Sequence, residues 1–258
     1  MLSSRSFNIV SILFILVWIL ADKYFQLGNS SVYGWLLLAY VTVIFCGSYF
    51  IRLGFFIKSI NRANTKEKFI ALSFDDGPSQ KFTGKLLDLL KANQAEAAFF
   101  CVGTKISAGE PLVKRIYEEG HIICNHSFSH DRFFDLFSAD KMLGDIRQMS
   151  SICEQVTGRY PVLFRPPYGV TNPNLKKAVL KGGFTSIGWT IRSLDTIISN
   201  EERLLKRIEK RLEPGAILLL HDTSETTVQI LSRLFELIRK NGYHIVRLDK
   251  MLNLTPYA

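Results

Sequence analysis

The hydropathy pattern divides the chain into two unlike parts. Two long apolar runs open it, Phe7–Ala21 (FNIVSILFILVWILA) and Tyr33–Ile51 (YGWLLLAYVTVIFCGSYFI), separated by the turn-prone stretch Asp22–Val32 with its Gly28 and Asn29. Neither run carries the polar stripe of a helix on a globular surface, so the pair reads as a hairpin of helices that are apolar all round. The second run, 19 residues without a charge, reaches about 28 Å at 1.5 Å per residue, close to the roughly 30 Å hydrocarbon layer of a bilayer. The first reaches about 22 Å: either a short span extended past Asp22 to Phe25, or the apolar stretch of a signal peptide. No A-x-A-type cleavage site follows it, so a retained span is expected. The expectation is a membrane anchor over residues 1–58 with spans at 7–25 and 33–51.

From Phe69 the pattern changes to short apolar runs alternating with amphipathic segments, a β/α signature. The predicted strands are Phe69–Phe74, Glu96–Val102, His121–Cys124, Val162–Phe164, Phe184–Gly188, Ala216–Leu220 and Tyr243–Leu248. Helices are predicted near Phe82–Asn93, Gly109–Glu119, Ala139–Val156, Asn174–Leu180, Asn200–Leu212 and Glu225–Lys240, with stops at Gly120, Gly182 and Gly242 just before strands. Ser199-Asn200-Glu201-Glu202 reads as a capping box opening the fifth helix. The fold class is therefore α/β, a distorted (β/α)7 barrel over residues 69–258, with the polar stretch 59–68 as a linker.

Composition narrows the function classes. With 258 residues, 47% hydrophobic, 8 Pro and 17 Gly, and a mean hydropathy of +0.13, a disordered or collagen-like chain is excluded. Cysteines 46, 101, 124 and 153 have no C-x-x-C spacing and sit in apolar surroundings. They read as small buried hydrophobes, not as a disulfide scaffold or a cysteine zinc site. The net charge of +9 is uneven: seven Lys/Arg face two Asp/Glu in residues 1–68, against 25 and 21 in the rest. No basic stripe with interleaved aromatics follows Lys68, so nucleic acid is not an expected partner. Arg52, Lys58, Arg62, Lys66 and Lys68 follow the second run while the intervening loop holds only Lys23, which places the globular part in the cytoplasm by the positive-inside rule. A polymeric glycan substrate pulls toward the opposite face.

Reactive groups of a β/α barrel stand just past the C-terminal ends of its strands. There the chain has Asp75-Asp76-Gly77-Pro78 after the first strand and His126 and His130, four apart, after the third. Arg165-Pro166-Pro167-Tyr168-Gly169 follows the fourth, Asp195 the fifth, and His221-Asp222 the sixth. Singly, each has an ordinary explanation in a turn cap, a salt bridge or a satisfied core histidine. Jointly, two histidines and one carboxylate make three ligands for a divalent ion with a position left open, the donor set of a catalytic zinc site. One aspartate of the pair binds and the other acts as base. His121 and His244 lie away from this rim and read as structural. Trp189 and Phe128 read as packing residues that could also line a groove.

The segments SFDDGP, HSFSH, RPPYG and LLLH, in this order across Phe69–Leu248, resemble the motif set of the metal-dependent polysaccharide deacetylases with a NodB-homology domain (carbohydrate esterase family 4-like). The resemblance implies that Asp76, His126 and His130 hold one divalent metal, usually zinc. It implies that Asp75 is the general base toward water, that Arg165 holds Asp75, and that the backbone N–H of Tyr168 stabilises the oxyanion. It further implies that His221 protonates the leaving amine with Asp195 beside it, and that Leu218 shapes the acetyl pocket. One motif departs from the pattern: the usual D-x-x-D-W is Arg192-Ser193-Leu194-Asp195-Thr196 here, and Arg192 in the cleft suits an anionic group such as a phosphate or a uronic acid. The expected function is N-deacetylation of N-acetylated amino sugars in a glycan (polysaccharide, peptidoglycan or chitooligosaccharide). Alternatives are deacylation of a lipid-linked sugar, O-acetyl ester hydrolysis, or a silent glycan-binding module. Expected partners are that glycan or lipid-linked sugar and the membrane. No protein partner is implied.

Overall fold

The computed structural model describes residues 3–26 and 30–258, so Gly28 and Asn29 of the expected turn lie outside the described residues. Helices α1 (Ser4–Phe25) and α2 (Ser30–Tyr49) form an antiparallel pair. Phe7 stacks on Tyr40 at 5.5 Å at one end, and the Tyr33 hydroxyl donates to Asp22 Oδ2 at 2.8 Å at the other. Their outer faces expose large apolar side chains, among them Leu13, Phe14, Val17, Leu20, Trp35, Leu37 and Phe45. The second helix stops two residues short of the expected span. Ile51 turns into a 3-10 segment and is buried against the globular part.

The rest alternates as expected and adds elements: β1 (Phe69–Gly77), α3 (Thr83–Ala92), β2 (Ala98–Cys101), α4 (Gly103–Ala108), α5 (Glu110–Glu118) and β3 (Ile122–Asn125) come first. After them run α6 (Ala139–Thr157), β4 (Leu163–Phe164), α7 (Pro173–Gly182), β5 (Thr185–Ser186) and β6 (Ile191–Arg192). The chain closes with α8 (Glu201–Glu209), β7 (Ala216–His221), α9 (Glu225–Lys240), β8 (His244–Ile245) and α10 (Leu248–Leu252). The sheet order is β5-β4-β3-β2-β1-β7-β6, all parallel, with β8 pairing the start of β1.

This is a parallel half-barrel, and it corrects the closed seven-stranded expectation. Phe184–Gly188 reads as one strand in sequence, yet it supplies only β5, and the missed β6 stands at the opposite edge of the sheet. The two edges do not pair with each other among the described residues. The segment before β1 fills the gap: Ile60 bridges Ile187 and Arg62 bridges Ala216, while Ser59 Oγ bonds Ser186 Oγ at 2.7 Å. Residues 59–63 are therefore packed into the domain, not a free polar tether, because they satisfy the edge strands' backbone groups.

Two terminators also differ from expectation. The left-handed cap of α7 is Gly183, with Gly182 the last helical residue, and α8 is capped by Asn200, whose side chain accepts from Arg203 N, not by Ser199. Three of the four cysteines are buried and all four are free.

The core has two sides. Ile70, Leu72, Phe74, Leu218 and Leu220 face the helices, and Ala71, Phe100, Cys124, Ile187 and Ile217 fill the inside of the half-barrel. The inner face of β1 and β7 is thus set by odd-numbered residues, the period of two of an extended strand.

Gly215 has φ +75, and a Cβ there would stand 2.4 Å from the Ala63 carbonyl oxygen, so Gly215→Ala is expected to cost about 2 kcal/mol or more through strain and the lost gap-filling contact. Gly144 in α6 has open space around it, and Gly144→Ala is expected to stabilise by about 1 kcal/mol. Thermal unfolding midpoints that fail to fall for the first or to rise for the second would count against this packing.

Candidate active site

The end of β1 departs from regular pleating. Asp75 pairs Phe100 and Gly77 pairs Cys101, so Asp76 is the extra residue of a bulge, with φ at +73. A regular strand sends adjacent side chains to opposite faces; the bulge is what lets Asp75 and Asp76 both line one cleft. Gly77 beside them leaves no room for a side chain, since a Cβ would lie 1.9 Å from Asp222 Oδ2.

The cleft, about 100 Å³, is lined by Asp75, Asp76, His126, His130, Pro166, Tyr168, Gly169, Trp189, Arg192, Leu219 and His221.

Asp75 is held from behind by Arg165, which is fully buried. Its Nη1 donates to Asp75 Oδ1 at 2.5 Å and to Ser73 Oγ at 3.0 Å. Nη2 donates to Gly188 O at 2.9 Å and Nε to Ile187 O at 3.3 Å, while the guanidinium lies 3.9 Å from the Phe100 ring centroid. The Arg165 carbonyl accepts from His126 Nδ1 at 2.8 Å. That bond places the proton on Nδ1 and leaves the Nε2 lone pair for the cleft.

Three donor atoms converge there. His126 Nε2 lies 3.4 Å and His130 Nε2 3.2 Å from Asp76 Oδ1, and one ligand atom from each of the three residues falls within 4.8 Å of the others. Electron pairs facing one another at such distances call for positive charge between them. A carboxylate with two imidazoles, one already oriented through its far nitrogen, fits a small divalent ion.

Opposite stands His221 at the end of β7, paired in register with Asp75. Asp195, buried, accepts from His221 Nδ1 at 2.8 Å and from its backbone N at 2.7 Å, and from the hydroxyls of Ser193 at 2.9 Å and Thr227 at 2.5 Å. Burial alone would lower the His221 pKa. The hydrogen bond to Asp195, its charge, and the charges of Asp75 and Asp76 outweigh that and push it up to about 9. The same bond keeps Asp195 below the usual carboxylate range although burial opposes this.

Eight of the nine predicted site residues thus meet around one cleft, Arg165 and Asp195 from its back wall. Leu218 does not: it is buried in the helix-facing core, and Leu219 lines the cleft. The reason is parity, because a residue two before His221 shares its face and one three before it does not. Ser193 and Thr227, which support Asp195, were missed, as no local spacing links them to it. Phe128 packs on Gly103 outside the cleft. His121 is structural, its Nδ1 accepting from Ala97 N at 3.2 Å with burial lowering its pKa to about 4.

Comparison with known proteins settles the family. A model of the family described as Polysaccharide deacetylase matches residues 62–187. A peptidoglycan-N-acetylglucosamine deacetylase of Bacillus cereus is 33% identical over 191 residues, covering 72% of this chain and 89% of the relative. The chain belongs to the polysaccharide deacetylase family. Against the peptidoglycan-N-acetylglucosamine deacetylase PgdA of Listeria monocytogenes it is 31% identical over 76% of its own length and spans only 41% of that relative. The crystal structure of the Bc1960 peptidoglycan N-acetylglucosamine deacetylase superposes with a TM-score of 0.72 at 27% identity, covering 78% of this chain and 95% of that one. The family-model match ends before Asp195 and His221, so this half of the cleft rests on the geometry above. This polysaccharide deacetylase keeps a tryptophan at the cleft from elsewhere in the chain: Trp189, packed on Gly169.

Asp195→Asn is expected to bring the His221 pKa down from about 9 toward the ordinary value of about 6.5, since the charge of Asp195 goes while burial, which lowers the value, stays. An NMR titration of the His221 ring protons reads this, and an unmoved midpoint would mean that Asp195 does not control the ring.

Proposed function

We propose that the chain is a membrane-anchored, metal-dependent hydrolase that removes N-acetyl groups from amino sugars. The observation that carries this is the facing pair across one cleft: Asp75 clamped by buried Arg165, and His221 kept charged by buried Asp195. A carboxylate and an imidazole held in fixed directions on opposite sides of one cleft are the base and the acid that amide hydrolysis needs. The relatives named above carry peptidoglycan deacetylase in their names, which supports an N-acetylated glucosamine-type sugar.

In this reading Asp76, His126 and His130 hold one divalent ion, most simply zinc. When bound, that ion supplies Lewis-acid polarisation of the amide carbonyl and lowers the pKa of water. Asp75 takes a proton from the water whose oxygen adds to the carbonyl carbon. Arg165 fixes the direction of the Asp75 carboxylate. The Tyr168 N–H donates to the carbonyl oxygen as negative charge develops there. His221 Nε2 delivers a proton to the amide nitrogen as the C–N bond breaks, releasing acetate and the free amine. Leu219 and Trp189 bound the space for the methyl group.

The hairpin is read as the anchor. The all-round apolar exposure of α1 and α2 and their lengths of 22 and 20 residues, about 33 and 30 Å, support two spans. The basic residues flanking the domain side, Arg5, Arg52, Lys58 and Arg62, support a cytoplasmic catalytic domain.

Acetate release from N-acetylglucosamine oligomers by zinc-loaded protein is expected to fall about 10²- to 10⁴-fold for Asp75→Asn and for His221→Ala. It is expected to stop on chelation and return with zinc. The rate should also decline as pH rises through about 9, because the acid loses its proton there. Release that persists in the chelated sample or in Asp75→Asn would overturn the mechanism.

A further inference from the structure

The anchor and the cleft share a wall. The last turn of α2 is bonded to the loop that follows the cleft residues Tyr168 and Gly169: Thr171 N donates to Ser48 O at 2.9 Å and Ser48 Oγ donates to Thr171 O at 2.6 Å. Ile51 lies behind Gly188, next to the cleft residue Trp189, and Arg52 Nη1 reaches Thr190 O at 3.4 Å. Ser4 N at the start of α1 donates to Phe55 O at 2.9 Å, and the end of α2 meets the domain beside the cleft.

Exposed apolar side chains gather at this wall: Tyr168, Phe133 and Leu136. Tyr168 is at the cleft, with its ring 4.9 Å from that of His130. Phe133 and Leu136 sit on the loop after His130, which Asn172 Nδ2 ties to the anchor-bonded loop through Asp135 O at 2.6 Å. Arg132 caps the Phe133 ring at 4.8 Å. At the opposite lip stands Arg192, exposed and lining the cleft. Arg207 donates to its carbonyl, and among the described residues neither arginine has a carboxylate partner. Apolar side chains tipped with cations, beside two membrane-length helices, make the surface of a protein part that rests on lipid headgroups. The open positive charge at the lip matches a phosphate.

We infer that the sugar reaches this cleft from the bilayer: the substrate is an N-acetylated amino sugar carried on a membrane lipid through a phosphate, with Arg192 facing that phosphate. The inference rests on the deacetylase and anchor readings above and names the substrate class for them. A cytoplasmic domain held at the membrane surface meets such lipid-linked sugars and does not meet a polymer outside the cell.

The test uses the full chain in phospholipid nanodiscs with zinc. Acetate release is compared for N-acetylglucosamine phosphate linked to a long polyprenol in the same discs, for soluble N-acetylglucosamine 1-phosphate, and for soluble tetra-N-acetylchitotetraose. The lipid-carried sugar is expected to exceed the tetraose in kcat/KM by about a hundredfold, the low end of what co-confinement of two partners gives. Arg192→Ala is expected to shrink that ratio about tenfold, as loss of a charge-assisted contact does. Equal or better turnover of the tetraose, or a ratio that Arg192→Ala leaves unmoved, overturns the lipid-phosphate inference while the deacetylase reading stands. Acetate from none of the three probes overturns the deacetylase reading, and this one with it.

Discussion

A fully buried guanidinium organises the catalytic half of this protein. An isolated charge in an apolar interior costs many kcal/mol, so Arg165 is tolerable only with its donors satisfied and its charge matched. The structure meets that demand with Asp75 and Ser73 from β1, the carbonyls of Ile187 and Gly188 just after β5, and the face of Phe100 from β2. Three parts of the half-barrel are thereby referred to one side chain. Removing one partner of such a buried pair typically costs about 3–5 kcal/mol, so the direction of the Asp75 carboxylate is set by stability as much as by chemistry. The carbonyl of the same residue orients His126, which couples the Asp75 carboxylate and the Asp76–His126–His130 cluster through one residue.

Asp195 does the same for the acid side. It gathers the ring and the backbone N–H of His221 with two hydroxyls, so the imidazole is fixed in direction and in charge together. Asp75 and His221 sit on neighbouring strands in register, and each is fixed in direction by a buried partner, Arg165 for the carboxylate and Asp195 for the imidazole.

The loops that form the cleft do a second task. The 166–172 loop carries Tyr168 at the cleft and bonds the end of α2, so the position of the helical hairpin and the shape of the cleft are mechanically linked. A catalytic domain on a long flexible tether would sample a wide volume; this one is docked against the base of its helices through Ser48, Ile51 and Ser59. The stretch that reads as a polar linker is in fact what satisfies the open edges of the sheet.

Much of the fold and site was legible from local order. Hydrophobic period identified the helices and most strands, and SFDDGP, HSFSH, RPPYG and LLLH placed seven of the site residues, because each motif is a few residues at a strand end whose direction follows from the strand. What was not legible depends on distance along the chain or on departures from regular geometry. The bulge at Asp76 turns two adjacent carboxylates the same way, against the alternation that sequence implies. Leu219 and not Leu218 faces the cleft because parity counts back from His221 in an observed strand. The opening of the barrel between β5 and β6, the filling of that gap by residues 59–63, and the support of Asp195 by Ser193 and Thr227 join segments up to about 150 residues apart. Sequence by itself determined which chemistry is present and at which strand ends; the tertiary structure decided how the sheet closes, which side chains share the cleft, and that the cleft lies against the end of the helical hairpin. Those outcomes follow from satisfying buried charges and open strand edges across the whole domain, a requirement that no local pattern encodes.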